Sequence, residues 1–249
     1  MADRKIFISA DMEGIAQARR WGDVDKGKKS YAKFAKIQSR EVAEIIAGFG
    51  RGKFVVRDAH CTGKNIMPGI LPGGVKILSG WEGENEFCTM SGLDAGGFDC
   101  AILHGYHAAA GTKLSPLAHS YNFGAIKEIR LNGKIAGETT FGIYSAAYLG
   151  VPVALVAGDS GACAEAKSVN SKIIVCETKN FSKGELPDPG EVLKKLRACC
   201  ARAAKGGVKV ALPKLFDLGI VFTKKGMAPI AFKTNDFREI LKALRQAMK

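Results

Sequence analysis

The chain has 249 residues, 47% hydrophobic and 24% charged, enough apolar material for a substantial core in one or two lobes and not the composition of a disordered chain. No apolar run approaches the ~18 residues that a membrane-spanning helix needs, and Asp3, Arg4 and Lys5 precede a very short apolar run that reads as a strand and not as a signal peptide. The formal net charge of +13 is uneven: residues 167–249 carry 18 Lys and Arg against 7 Asp and Glu, and residues 1–166 carry 19 against 17. That excess lies apart, along the chain, from the residues with chemical potential, and it lacks the interleaved aromatics of a single-strand binder, so it reads as a solvated face and not as a nucleic-acid site.

Short apolar runs alternate with segments of helical period, the pattern of an α/β protein with a largely parallel sheet. The first strand spans residues 5–10. A helix follows over 31–49, with Phe34, Ile37, Val42, Ile45 and Ile46 on one face and Gly50 and Gly52 as its stop. Strands are expected over 53–57, 75–78 and 100–104. Runs at 126–131 and 134–136 flank Asn132-Gly133, the signal of a two-residue hairpin and hence of an antiparallel excursion. A helix over 138–149 ends at Gly150, and strands follow over 151–157 and 173–176. The segment Gly184 to Gly190, with Pro187 and Pro189, reads as a linker. It divides a catalytic α/β domain, residues 1–182, from an α+β portion, residues 183–249, packed on it, with helices near 191–205 and 236–249.

Open α/β sheets bind ligands at the carboxyl ends of their strands. There the chain places Asp11-Met12-Glu13-Gly14, Asp58-Ala59-His60, and His104 and His107. In extended backbone a two-residue spacing puts both side chains on the same side, so Asp11 with Glu13, and Asp58 with His60, can face one point. Carboxylates gathered in a cleft need compensating charge. A divalent cation supplies it, and imidazole beside carboxylate suits zinc, with manganese or cobalt as alternatives. The competing reading is that Asp11 and Asp58 only cap the next turn.

The four histidines, His60, His104, His107 and His119, all fall in the segment that holds these strand ends. His104 reads as a core residue before it reads as a ligand. His119, in Ala118-His119-Ser120-Tyr121, is either a ligand or an acid/base. The seven cysteines are odd in number and form no C-x-x-C pair, which fits a reducing cytoplasm; Cys61 is a pocket-wall residue, or alternatively a soft ligand or nucleophile.

Taken together, Ser9-Ala10-Asp11-Met12-Glu13-Gly14-Ile15, Arg57-Asp58-Ala59-His60, Gly105-Tyr106-His107-Ala108, Ala118-His119-Ser120 and Gly137-Glu138 resemble the zinc-dependent D-aminopeptidases of the DppA type. The likeness extends through Val151-Pro152-Val153 and Ala157-Gly158-Asp159 and fades after Lys172. It implies that Asp11, Glu13, His60, His107 and Glu138 ligate two zinc ions and that His119 is the catalytic residue beside the scissile amide. It also implies a three-layer α/β/α fold and ring-like homo-oligomers, decamers, whose channel admits short peptides with D-amino-acid N-termini. Ala59 and Cys61 stand where the family often has serines, and His104 where an apolar residue is expected. Asp58 is the expected partner orienting His60, and the competing reading of Glu138 is an exposed residue in a first helical turn. The function so implied is a cytoplasmic metallo-aminopeptidase. Its rivals are another metal-dependent amidohydrolase or phosphoesterase on this scaffold, and a basic nucleic-acid-binding protein with structural metal.

Overall fold

The computed structural model describes residues 3–81, 86–113, 115–184 and 186–248. Six parallel strands form the main sheet: β1 (Lys5–Ala10), β2 (Lys53–Asp58), β3 (Lys76–Leu78), β4 (Cys100–Tyr106), β7 (Val153–Asp159) and β8 (Val175–Lys179), in the order β3-β2-β1-β4-β7-β8. A smaller antiparallel sheet, order β10-β9-β5-β6, joins the expected hairpin β5 (Ile126–Leu131) and β6 (Lys134–Ile135) to β9 (Phe216–Phe222) and β10 (Ile230–Thr234).

Alternation along the strands divides the core between the two faces of the main sheet. Ile6, Ile8 and Ala10 pack with Val42, Ile45 and Ile46 of α2 (Tyr31–Phe49) and with Val192 and Leu196 of α5 (Pro189–Ala203). Phe7, Ala101 and Leu103 pack on the other face with Phe141 of α3 (Glu138–Tyr148), with the small sheet and with α6 (Phe237–Met248). The architecture is therefore three-layered, α/β/α, with the antiparallel sheet on one side. Residues after 183 contribute to both faces, since α5 lies against α2 while β9 pairs with β5. The turn into α5, in which Glu185 lies outside the described residues, is closed by Asp188, whose side chain accepts from the N–H groups of Gly190 and Glu191.

Several elements depart from the expected pattern, among them a short unannounced helix between β1 and α2 and strand β8, which lies at Val175–Lys179 and not at 173–176. A helix that apolar periodicity does not announce, α4 (Ser160–Val169), is built from small residues and begins directly at the end of β7, where Asp159 accepts from the Ala162 N–H at 2.9 Å. Strand β4 runs past His104 to Tyr106, with a register shift against β7 between those residues. Gly105 makes this possible: its φ is +72°, and a Cβ there would stand 2.1 Å from the Asp11 carbonyl oxygen. The close approach brings the segment after β1 onto the end of β4, with the Asp11 N–H on the His104 carbonyl at 2.8 Å and the Gly14 N–H on the Gly105 carbonyl at 2.7 Å. Gly105→Ala combines positive-φ strain with backbone overlap and is expected to cost about 3 kcal/mol in urea unfolding; a loss below about 1 kcal/mol would show that the loop yields freely.

Candidate metal centre

Strands β2, β1 and β4 lie side by side, and their carboxyl ends deliver His60, then Asp11 and Glu13, then His107. Helix α3 enters with Glu138 as its first residue, and the loop after His107 folds back to bring His119 against it, the two imidazoles stacked at 4.0 Å with 9° between their planes. All six side chains are buried, from 1% exposed at His107 to 8% at His119. Candidate ligand atoms fall into two triplets, Asp11/Glu13/His60 and His107/His119/Glu138, each within 4.8 Å. Glu138 is thus an inward-facing member of the cluster and not an exposed first-turn residue.

Each imidazole is keyed by a backbone carbonyl. His60 Nε2 lies 2.8 Å from the Val24 oxygen, His107 Nδ1 3.0 Å from that of Ala108, and His119 Nδ1 3.0 Å from that of Leu117. A carbonyl only accepts, so each of these nitrogens carries hydrogen and the opposite nitrogen faces the carboxylates. His60 Nδ1 is 3.0 Å from Glu13 Oε2 and 3.4 Å from Asp11 Oδ1. His107 Nε2 is 3.5 Å from Asp11 Oδ2 and 3.4 Å from Glu138 Oε1. His119 Nε2 stands farther off, 4.0 Å from Glu13 Oε1 and 3.9 Å from Glu138 Oε1. The residue expected to orient His60 does something else: Asp58 accepts from the N–H groups of Asn65 and Ile66, and Asn65 Nδ2 reaches the His60 carbonyl at 2.7 Å. Val24, on the short helix α1 (Trp21–Val24), holds the ring in its place.

Three buried carboxylates at this distance demand positive charge, and in the metal-free chain protons supply it. Burial and the neighbouring Glu13 push Asp11 up to about 8. Burial opposes the imidazolium of His107, yet Glu138 and Asp11 outweigh it and raise its pKa to about 10. His60 is raised well above the usual histidine value because Glu13 and Asp11 overcome the same penalty. Against their own burial, Glu13 is held well below the usual carboxylate range by His60, and Glu138 is lowered by His107. His119 alone among these imidazoles moves down, through burial and the His107 charge. Divalent cations fit such a cluster. The donors are mixed nitrogen and oxygen, their second imidazole nitrogens are already engaged, and His107 Nε2 is a buried polar atom without a hydrogen-bond partner.

Supports that sequence reasoning did not assign lie one shell outward. Lys179, at the end of β8 and 2% exposed, donates its ammonium to the carbonyls of Glu13 and Ala18, and Thr178 Oγ1 donates to the Gly14 carbonyl at 2.5 Å. Burial lowers Lys179 to about 8 despite the nearby Asp159, Glu41, Glu13 and Asp23. Glu165 of α4 accepts from the Gly137 and Thr140 N–H groups at 2.8 and 2.7 Å, closing the start of α3 and so fixing Glu138. Asp159 accepts from the Ala108 N–H at 3.0 Å, behind His107. His104 points to the other face of the sheet, where its Nε2 is 3.2 Å from Glu41 Oε2 and where Glu41 Oε1 accepts from the Ala16 N–H. Only a lysine or acid at a strand end hinted at any of these.

Above the centre opens a cavity of about 880 Å³. Trp21, stacked on Phe123 at 4.5 Å and edge-on to His119 at 5.1 Å, forms one wall, and Cys61, exposed and beside His60, is a wall residue. Lys242, Arg245 and Gln246 of α6 line the pocket as well. The basic C-terminal segment, set apart from the chemistry along the chain, is therefore joined to it in space.

The model of peptidase family M55, described as D-aminopeptidase, matches residues 4–246. A D-aminopeptidase of Bacillus subtilis (strain 168) is 33% identical over 178 residues, 70% of this chain. The aligned segment spans 63% of that relative, less than two thirds of its length. Over 98% of this chain and 96% of the other, the fold is similar to a solved structure described as the Zn-dependent D-aminopeptidase DppA from Bacillus subtilis, a self-compartmentalizing protease, with a TM-score of 0.85 at 27% identity.

Lys179→Met removes the grip on the Glu13 carbonyl while keeping much of the buried volume. It is expected to weaken divalent-metal binding about tenfold or more in calorimetric titration; affinity equal to wild type would show that the clamp is dispensable.

Proposed function

Because the chain belongs to the M55 family of D-aminopeptidases, we propose that it is a metal-dependent aminopeptidase that hydrolyses short peptides with D-amino-acid N-termini at a centre of two zinc ions. The observation that carries this reading is the convergence of three carboxylates with three carbonyl-keyed imidazoles at one cavity, whose floor all of them line except His107, which lies buried behind it. Asp11, Glu13 and His60 would hold one ion, and His107 and Glu138 the other. Asp11 would serve both, since Oδ1 faces His60 and Oδ2 faces His107. When bound, the zinc pair polarises the scissile carbonyl and lowers the pKa of water from about 15.7 towards about 7.

The protein's own groups do the rest. His119 is kept neutral near pH 7 by burial and by positive charge beside it, and cations at the centre act in the same sense as the His107 charge. Its Nδ1–H is committed to the Leu117 carbonyl, so Nε2 is the atom that takes a proton and returns it to the departing amine. Trp21 packs against its ring and limits water on that side. Peptides fit a pocket whose walls mix aromatic and polar groups.

A homo-oligomeric ring, a decamer, is part of the proposal. The description of the similar structure as self-compartmentalizing supports it, as do exposed apolar residues such as Phe123 and Met227. A cytoplasmic setting is supported by the free thiols of the described residues; no described helix is long and apolar enough to cross a membrane. Manganese or cobalt suits the same donors, and nucleic acid has no place in this reading.

Turnover of D-Ala-D-Ala against L-Ala-L-Ala after reconstitution with zinc, manganese or cobalt tests the activity and its chirality; preference for the L-peptide would contradict it. His119→Ala is expected to keep its metal and lose about 100-fold or more in kcat, whereas His60→Ala and His107→Ala lose metal in elemental analysis. Equal metal loss in all three would make His119 a ligand, a role within reach of its triplet with His107 and Glu138.

A further inference from the structure

Charge in the pocket is polarised. Its floor carries Asp11, Glu13 and Glu138, and Asp25, just after α1, is a further anion on its lining. Among the described residues, imidazoles aside, the cationic side chains that line it are Lys242 and Arg245, and both come from α6. They lie three positions apart and so share a helix face, while Leu241, Leu244 and Ala247 turn to the core. The helix is held in this orientation: those apolar residues pack with Phe216 and Phe237, and Asn122 Nδ2 donates to the Met248 carbonyl at 3.3 Å, tying the end of α6 to the segment that follows His119. Lys242 is exposed and Arg245 half-buried.

A short peptide is a zwitterion. With its amino end and first carbonyl at the floor, its free carboxylate lies one or two residues outward. Cations on the wall of a cleft attract that group more strongly than cations on open surface, because the low-dielectric walls focus the field. Ammonium and guanidinium donors also form charge-assisted hydrogen bonds with a carboxylate, the guanidinium in a two-pronged geometry.

We propose that Lys242 and Arg245 bind the C-terminal carboxylate of the substrate, so that this wall selects free di- and tripeptides over blocked or long ones. The inference rests on the aminopeptidase reading and sharpens it, giving part of the basic C-terminal segment a task at the active site.

The test is steady-state kinetics of the metal-loaded full chain on D-Ala-D-Ala and on the same dipeptide with its C-terminus amidated, which leaves the scissile bond unaltered. Wild type is expected to favour the free acid about tenfold in kcat/KM, chiefly through KM, and the preference is expected to shrink as salt rises. Lys242→Gln, at an exposed helical position, should bring the acid-to-amide ratio close to one. Arg245→Gln should do the same, with Arg245→Lys restoring part of the ratio; urea midpoints for each variant separate this from unfolding. Equal cleavage of acid and amide by wild type, or an unchanged ratio in both Gln variants, overturns the inference alone. Cleavage of neither peptide overturns the aminopeptidase reading and this inference with it.

Discussion

Three carboxylates, Asp11, Glu13 and Glu138, share a buried space, and no such cluster persists without positive charge to balance it. Much of the surrounding structure answers that constraint. Strand ends from the middle of the parallel sheet bring the anions and imidazoles together, and backbone carbonyls fix each ring so that the other nitrogen faces the anions. Lys179 grips the carbonyls around Glu13 from behind, while Glu165 and Asp159 fix the segments that carry Glu138 and His107. Without metal, burial and the neighbouring Glu13 favour a proton on Asp11, and Glu138 and Asp11 favour one on His107 against its burial, which displaces both from their ordinary values.

Within this balance His119 is the exception. Stacked on His107, it feels the centre's positive charge without close contact with the carboxylates that raise its neighbours. The same environment that keeps His60 and His107 protonated therefore keeps His119 neutral. Two kinds of imidazole behaviour thus arise from differences of less than an ångström in distance to a carboxylate oxygen, and they correspond to the two chemical roles proposed, holding metal and moving a proton.

The parts legible in the sequence were those governed by local rules. Alternating apolar runs locate the strands, Asn132-Gly133 the hairpin and Gly50 the end of α2, while the two-residue spacing holds for Asp11 and Glu13 only as convergence, since they lie in the turn after β1 and not in extended backbone. His104, one position before the bulge at Gly105, was separable from His107 only as a core residue, and the structure sets it against Glu41 on the opposite face. Glu138 was legible through resemblance alone, because nothing local distinguishes it from an ordinary first-turn glutamate. What stayed hidden depends on the tertiary fold: the Val24 carbonyl that orients His60, the helix α4 made of small residues, the buried Lys179, and the return of α6 to the pocket across more than a hundred residues of chain. Asp58 shows the same limit. Its two-residue spacing from His60 suggests a partner for that ring, but its oxygens are spent on the turn at Asn65 and Ile66, and the ring is held by Val24 instead.

The most direct test of the charge balance is to count the protons that leave when metal enters. Zinc titrated into the metal-free chain near pH 7, in calorimetry across buffers of different ionisation enthalpy, is expected to release about two to three protons per chain as cations replace those on Asp11, His60 and His107. Saturable zinc binding with no net proton release, or no binding at all, would contradict it.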